Sequence, residues 1–157
     1  MENVDYDLLT AQLRGLIGQD SYFVPALSNA AALLWETLED INWVGFYFVR
    51  DNQLVLGPFQ GKVACIHIQK GRGVCGTAWE TDTVQLIPNV HEFPGHIACD
   101  SASNSEIVIP IHSKGEVVAV LDIDSPYLNR FTNDDKNGLI KVSNMLSSSL
   151  SWDLQDT

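Results

Sequence analysis

The sequence predicts an α+β domain: a central antiparallel β-sheet, helices from both ends of the chain on one face, and loops bearing the site on the other. Three observations predict it. Apolar residues recur at helical spacing near both termini, the period shortens to a strand-like one between them, and short polar turns join neighbouring strand-like runs. Turns that short connect antiparallel neighbours, and helices gathered on one face are how such a sheet buries its apolar side.

The elements follow in order. Residues 6–17 place Leu8, Leu9, Leu13, Leu16 and Ile17 on a helical stripe that Gly18 can end. Residues 22–38 carry Phe23, Leu27, Ala30, Ala31, Leu34, Trp35 and Leu38 on a second stripe, with Asp20 or Ser21 as its cap. NWVGFYFVRDNQLVLGPF reads as a hairpin turning at Asp51-Asn52-Gln53. VACIHI (63–68) reads as a further strand, 70–73 as a loop, 74–80 as a short helix and 84–87 as an edge strand. The stretch from 89 to 105 is rich in Gly, Pro, His and Ser, and loops of that length inside compact domains are usually functional or disordered, its internal FPG arguing for an ordered one. EIVIPIHSKGEVVAVLDID is a hairpin turning at Lys114-Gly115, with the near-continuous apolar strands of a sheet centre. Thr132 and Asp135 match a capping box ahead of the stripe Leu139, Val142, Leu146 and Leu150.

Composition bounds the function. A chain of 157 residues is one domain, 1–157, able to bury roughly two thirds of its unfolded surface. No segment approaches the roughly 20 apolar residues of a membrane span, and MENVDYDLL has no basic start or cleavage site. A cytoplasmic protein with reduced thiols is expected. With 20 acidic against 9 basic residues the net charge is −11, and the longest basic grouping is Lys70-Gly71-Arg72, so nucleic acid and anionic membrane are poor partners. The oligomeric state, homodimer included, stays open.

Chemistry points to HEFPGHIACDSASNSEIVIPI. Free cysteine is usually buried, so a thiol at Cys99 among His96, Asp100, Ser101 and Asn104 signals reactivity or metal binding more than packing. Glu106 opens a strand, and Asp122 and Asp124 share one face of its hairpin partner. Acids are rare in central strands, so the pair suggests a bound cationic or protonatable group; the plainer reading is a strand end fraying into a turn. Trp43 and Tyr47 share a face opposite Val44, Phe46 and Phe48, either as core cover or as the apolar wall of a small-ligand pocket. Zinc is the chemical rival, through Cys65-x-His67 and His96-x-x-Cys99, but the paired knuckles of a structural site are missing and no metal is assigned.

The segments GRGVCGTAWE, HEFPGHIACDSASNSEIVIPI and GEVVAVLDIDSP resemble the free methionine-(R)-sulfoxide reductases, which have the GAF fold, over nearly the whole chain. The resemblance implies a single GAF domain that reduces the free amino acid's R-sulfoxide without a cofactor. It implies Cys99 as the nucleophile, left as a sulfenic acid, and Cys65 as the resolving thiol of a disulfide that thioredoxin reduces. Cys75 is then an alternative resolving thiol or a small buried residue. Glu106 and Asp122 bind the substrate's ammonium, Asp124 acts as the acid, and Trp43 and Tyr47 house the methyl end. A GAF module that binds a small molecule without turnover is the alternative. Such modules usually adjoin output domains, and a chain ending at Thr157 with three cysteines favours the enzyme.

Overall fold

The computed structural model describes residues 3–20, 22–96 and 102–153. The order is α1 (Tyr6–Ile17), α2 (Phe23–Thr37), β1 (Trp43–Arg50), β2 (Gln53–Gly61), β3 (His67–Gln69), α3 (Gly73–Thr81), β4 (Gln85–Ile87), a 3-10 turn (Val90–Glu92), β5 (Ser105–Ser113), β6 (Glu116–Ser125) and α4 (Asn133–Ser149). Among the described residues the strands make one sheet in the order β3-β2-β1-β6-β5-β4, antiparallel throughout. The α+β expectation holds. No helix among the described residues is long and apolar enough to cross a membrane.

Alternation along the strands divides two cores. On one face Val44, Phe46 and Phe48 of β1, Ile107, Ile109 and Ile111 of β5 and Ala119, Leu121 and Ile123 of β6 meet Leu9, Leu13 and Ile17 of α1, Leu27 and Leu34 of α2 and Leu139, Val142 and Leu146 of α4, whereas Leu8, Leu16 and Trp35, which the spacing places on these stripes, are exposed. On the other, Trp43, Tyr47, Val108 and Val120 meet Val74, Cys75, Ala78 and Trp79 of α3, with Leu54 and Ile68. The second face is thus covered by a helix as well as by loops, which the sequence reading did not foresee. Two turns have the hairpin geometry expected of them: Asp51 and Asn52, and Lys114 and Gly115, all have positive φ, matching the strands' twist.

Two local readings change. The α2 helix is capped by Tyr22, which has no side-chain capping bond; the Asp20 carboxylate instead accepts from the Tyr22 amide at 3.0 Å. VACIHI is not a strand: β3 spans only His67–Gln69, pairing with Gln53, Leu54 and Val55. The preceding residues are held by side chains of β1. Trp43 Nε1 donates to the Lys62 carbonyl at 3.1 Å and the Tyr47 hydroxyl to the Cys65 carbonyl at 3.0 Å. Cys65 and His67 therefore do not share a strand face. β2 accommodates Gly57-Pro58 where its register with β1 shifts between Gly45 and Tyr47, a position that tolerates proline because no ladder amide is needed.

The capping box of α4 is present, with Asp135 also bonded to Tyr6 Oη at 2.6 Å and to buried Arg130 at 3.2 Å. The close approach of α1 and α4 depends on Gly138, where a Cβ would overlap the Tyr6 ring. Gly138→Ala is expected to lower stability by about 1–2 kcal/mol, overpacking outweighing the gain of about 1 kcal/mol in helix propensity. Denaturant melts of the two proteins check this; a more stable variant would show that Tyr6 yields freely.

Candidate active site

Register assembles the site. Glu106 pairs with Asp124 across β5 and β6, Asp122 pairs with Val108 on one side and Gly45 on the other, and Asp124 faces Trp43. Because side chains alternate, Glu106, Asp122 and Asp124 emerge on the α3 face beside Trp43 and Tyr47. Gly45 lets the Trp43 ring and Phe59 pack directly against the β1 backbone: a Cβ there would stand 2.7 Å from the Trp43 ring and collide with Phe59. The Trp43 ring stacks between Tyr47 and Phe59, with centroids 5.9 and 5.3 Å away.

These groups line one pocket of about 550 Å³, open mouth included. Sheet strands supply Trp43, Tyr47, Glu106, Asp122 and Asp124; the start of α3 adds Arg72, Gly73, Val74 and Cys75; Val63, Ala64, His96 and Ser103 complete the rim. Ser103 is kept in place by Asn42, whose amide donates to its hydroxyl at 3.3 Å. The sequence reading named the carboxylates and aromatics of this pocket but not Gly45 or Arg72. The signal for Gly45 was its place between Trp43 and Tyr47 on their face; Arg72 had only its proximity to Cys75.

Cys75, Glu106 and Asp122 are 5%, 7% and 6% exposed, so their charged forms lose nearly all hydration. Burial first, then the neighbouring Asp122 and Asp124, pushes the Glu106 carboxyl well above its ordinary 4.5. Burial also raises Asp122, while hydrogen bonds from Glu106, Cys75 and Asp124 pull it back. The Cys75 thiol is driven up by burial and by the three carboxyls, and the Tyr47 hydroxyl by burial and Asp122. Burial thus disfavours the charged form of each of these groups. Asp122 Oδ1 is buried without a hydrogen-bond partner, an acceptor position open to an incoming donor.

The cluster's stability has a definite sign. A carboxyl with a native pKa above its unfolded value stabilises the fold below the unfolded value, and that contribution is lost as pH rises through the native value. The ligand-free protein is thus expected to weaken as pH climbs from 4.5 through the elevated value of Glu106. Glu106→Gln should flatten that decline and, in mildly alkaline buffer, exceed the parent by about 1–3 kcal/mol, the scale of one unsatisfied buried polar group. Thermal melts across pH test this, and a flat parent curve would show the carboxyls to be solvated.

The cysteines are not equivalent. Cys75 is free and buried on α3, whereas Cys65 is half-buried and disulfide-bonded. Cys99 lies outside the described residues, as do Asp100 and Ser101. Among the described residues a metal would find its donors in Cys75, Glu106 and Asp122, whose ligand atoms lie within 4.8 Å of one another, and not in the Cys65–His67 spacing. His67 is exposed on β3, and burial lowers His96 below its ordinary 6.5.

The pocket of aromatic walls and buried carboxyls lies between the sheet and a covering helix, and the GAF domain family matches residues 9–150 of the chain. Within that class the chain belongs to the free methionine-R-sulfoxide reductase family. It is 54% identical to the free methionine-R-sulfoxide reductase of Escherichia coli K12 over 134 residues, 85% of this chain and 81% of that one. The fRMsr of Staphylococcus aureus in its reduced form superposes with a TM-score of 0.92 at 45% identity, covering 96% of this chain and 97% of that one. The same protein in complex with substrate gives 0.91 at 44% identity, covering 96% and 99%.

Proposed function

We propose that this chain reduces free L-methionine-(R)-sulfoxide to L-methionine in the cytoplasm, with thioredoxin as the source of electrons. The observation that carries the reading is the convergence of Glu106, Asp122 and Asp124 beside Trp43 and Tyr47 in one pocket of a chain from this family. Buried acids suit a substrate that brings its own ammonium, and Asp122 Oδ1, without a hydrogen-bond partner among the described residues, offers that group an acceptor. The aromatic wall formed by Trp43 and Tyr47 receives the methyl end.

In the proposed reaction the Cys99 thiolate attacks the sulfoxide sulfur. The sulfur–oxygen bond breaks, oxygen passes to Cys99 as a sulfenic acid with one proton taken up, and methionine leaves. Burial raises both Glu106 and Asp122, and Glu106 shares a hydrogen bond with Asp124, the least buried of the three. Asp124 is assigned the step of handing the proton to the departing oxygen. Negative carboxylates oppose a thiolate, so the arriving ammonium both binds and relieves that repulsion.

The Cys65 thiol then condenses with the sulfenic acid, releasing water and forming a Cys65–Cys99 disulfide that thioredoxin opens by exchange. Supporting Cys65 in this role are its disulfide-bonded state and its anchorage by Tyr47, while Cys75 is free, buried and held protonated. Methionine formation from separated R and S free sulfoxides, with dithiothreitol or thioredoxin as reductant, tests the reading. Turnover of the R form alone is expected; no turnover of either would overturn it.

A further inference from the structure

The acids account for only one end of a free amino acid. Its α-carboxylate also needs a partner, and a pocket in a chain of net charge −11 is a poor environment for it without a local cation. We propose that Arg72 binds that carboxylate, giving the pocket a cationic end opposite its acidic floor. This rests on the reductase reading and adds the second half of its selectivity for an unblocked amino acid.

Four observations converge on Arg72. Among the described residues lining the pocket it is the one lysine or arginine, and the other basic side chain there, His96, is shifted below its ordinary 6.5 by burial and by His91. Its neighbour Lys70 is committed elsewhere, its ammonium 4.9 Å from the centroid of the Trp79 ring. The Arg72 side chain is exposed, and its guanidinium is in none of the ion pairs among the described residues. Finally, the acids stand on β5 and β6, whereas Arg72 stands at the start of the helix packed over them, so the two signs of charge sit on opposite walls.

The backbone is arranged to hold it there. Arg72 is the N-cap of α3 with an extended φ of −102°, its amide donates to the Gln69 carbonyl at 3.1 Å and its carbonyl accepts from Gly76 at 3.0 Å. Gly76 is needed for that tight turn, since a Cβ would stand 2.6 Å from the Gln69 carbonyl oxygen. The planar guanidinium then offers a fork matched to a carboxylate, and the positive end of α3 adds charge of the same sign.

The test compares free L-methionine-(R)-sulfoxide with its α-carboxamide, in buffer acidic enough to keep both amines protonated. The parent should favour the acid by about 10- to 100-fold in kcat/KM, the range of a charge-assisted hydrogen bond pair. Arg72→Ala should erase that preference mainly through KM for the acid, leaving the carboxamide almost unchanged, and Arg72→Lys should restore part of it. An Arg72→Ala protein that keeps the parent's acid-to-amide ratio overturns the assignment while leaving the reductase reading intact. A parent that reduces neither sulfoxide overturns both.

Discussion

Cys99→Ser should abolish methionine formation, lowering turnover by at least about three orders of magnitude, because no other group in the proposed reaction can attack sulfur. The loss should include the single turnover obtained without reductant. Cys65→Ser should behave differently: one equivalent of methionine forms, after which recycling by thioredoxin stalls for want of a resolving thiol, and dithiothreitol partly restores it. Rapid-quench measurement of methionine per active site separates the two variants. Full activity in Cys99→Ser would remove the mechanism. A Cys75–Cys99 disulfide found by mass mapping after substrate treatment, with Cys65 free, would exchange the roles of Cys65 and Cys75. The structure makes that exchange difficult, because Cys75 is buried on α3 with its thiol held protonated.

N-acetylmethionine sulfoxide should be a very poor substrate. Acetylation turns the ammonium into a neutral amide, leaving Glu106, Asp122 and Asp124 without the cation that the reading assigns to them. An unpaired buried charge costs about 3–5 kcal/mol, equivalent to roughly two to four orders of magnitude in kcat/KM. Part of that penalty is avoidable, since burial raises Glu106 and Asp122 and so favours their neutral forms. Discrimination should therefore be steepest at higher pH, where an unneutralised cluster is forced to ionise. Glu106→Gln and Asp122→Asn should narrow the gap by harming the free substrate, and kcat/KM for both substrates on all three proteins measures it. Equal use of acetylated and free forms by the parent would show that the carboxylates do not read the ammonium.

The stability and activity predictions for Glu106 pull in opposite directions. A carboxyl that weakens the ligand-free fold at alkaline pH is retained in this reading because binding needs it, so Glu106→Gln should produce a steadier, less active protein. Observing both effects in one variant would tie the buried charge to function more firmly than either alone.

Much was determined by sequence alone. Hydrophobic period located α1, α2 and α4 to within a residue or two, Lys114-Gly115 marked the β5–β6 turn, and Thr132 with Asp135 marked the start of α4. The alternation of side chains along a strand was enough to put Asp122 with Asp124, and Trp43 with Tyr47, on single faces, because that geometry is local. VACIHI misled for the same reason: its pattern is strand-like, but its backbone from 62 to 65 is held by the polar tips of Trp43 and Tyr47, two long-range bonds that no local pattern encodes. Only the tertiary structure decided that Glu106 would stand opposite Asp124, that Gly45 would pair with Asp122 beneath the Trp43 ring, and that α3 would lie across that face with Cys75 and Arg72 at the pocket. Register and helix placement depend on which distant surfaces bury each other best, and a one-residue slip would have turned the same carboxyls into the opposite core.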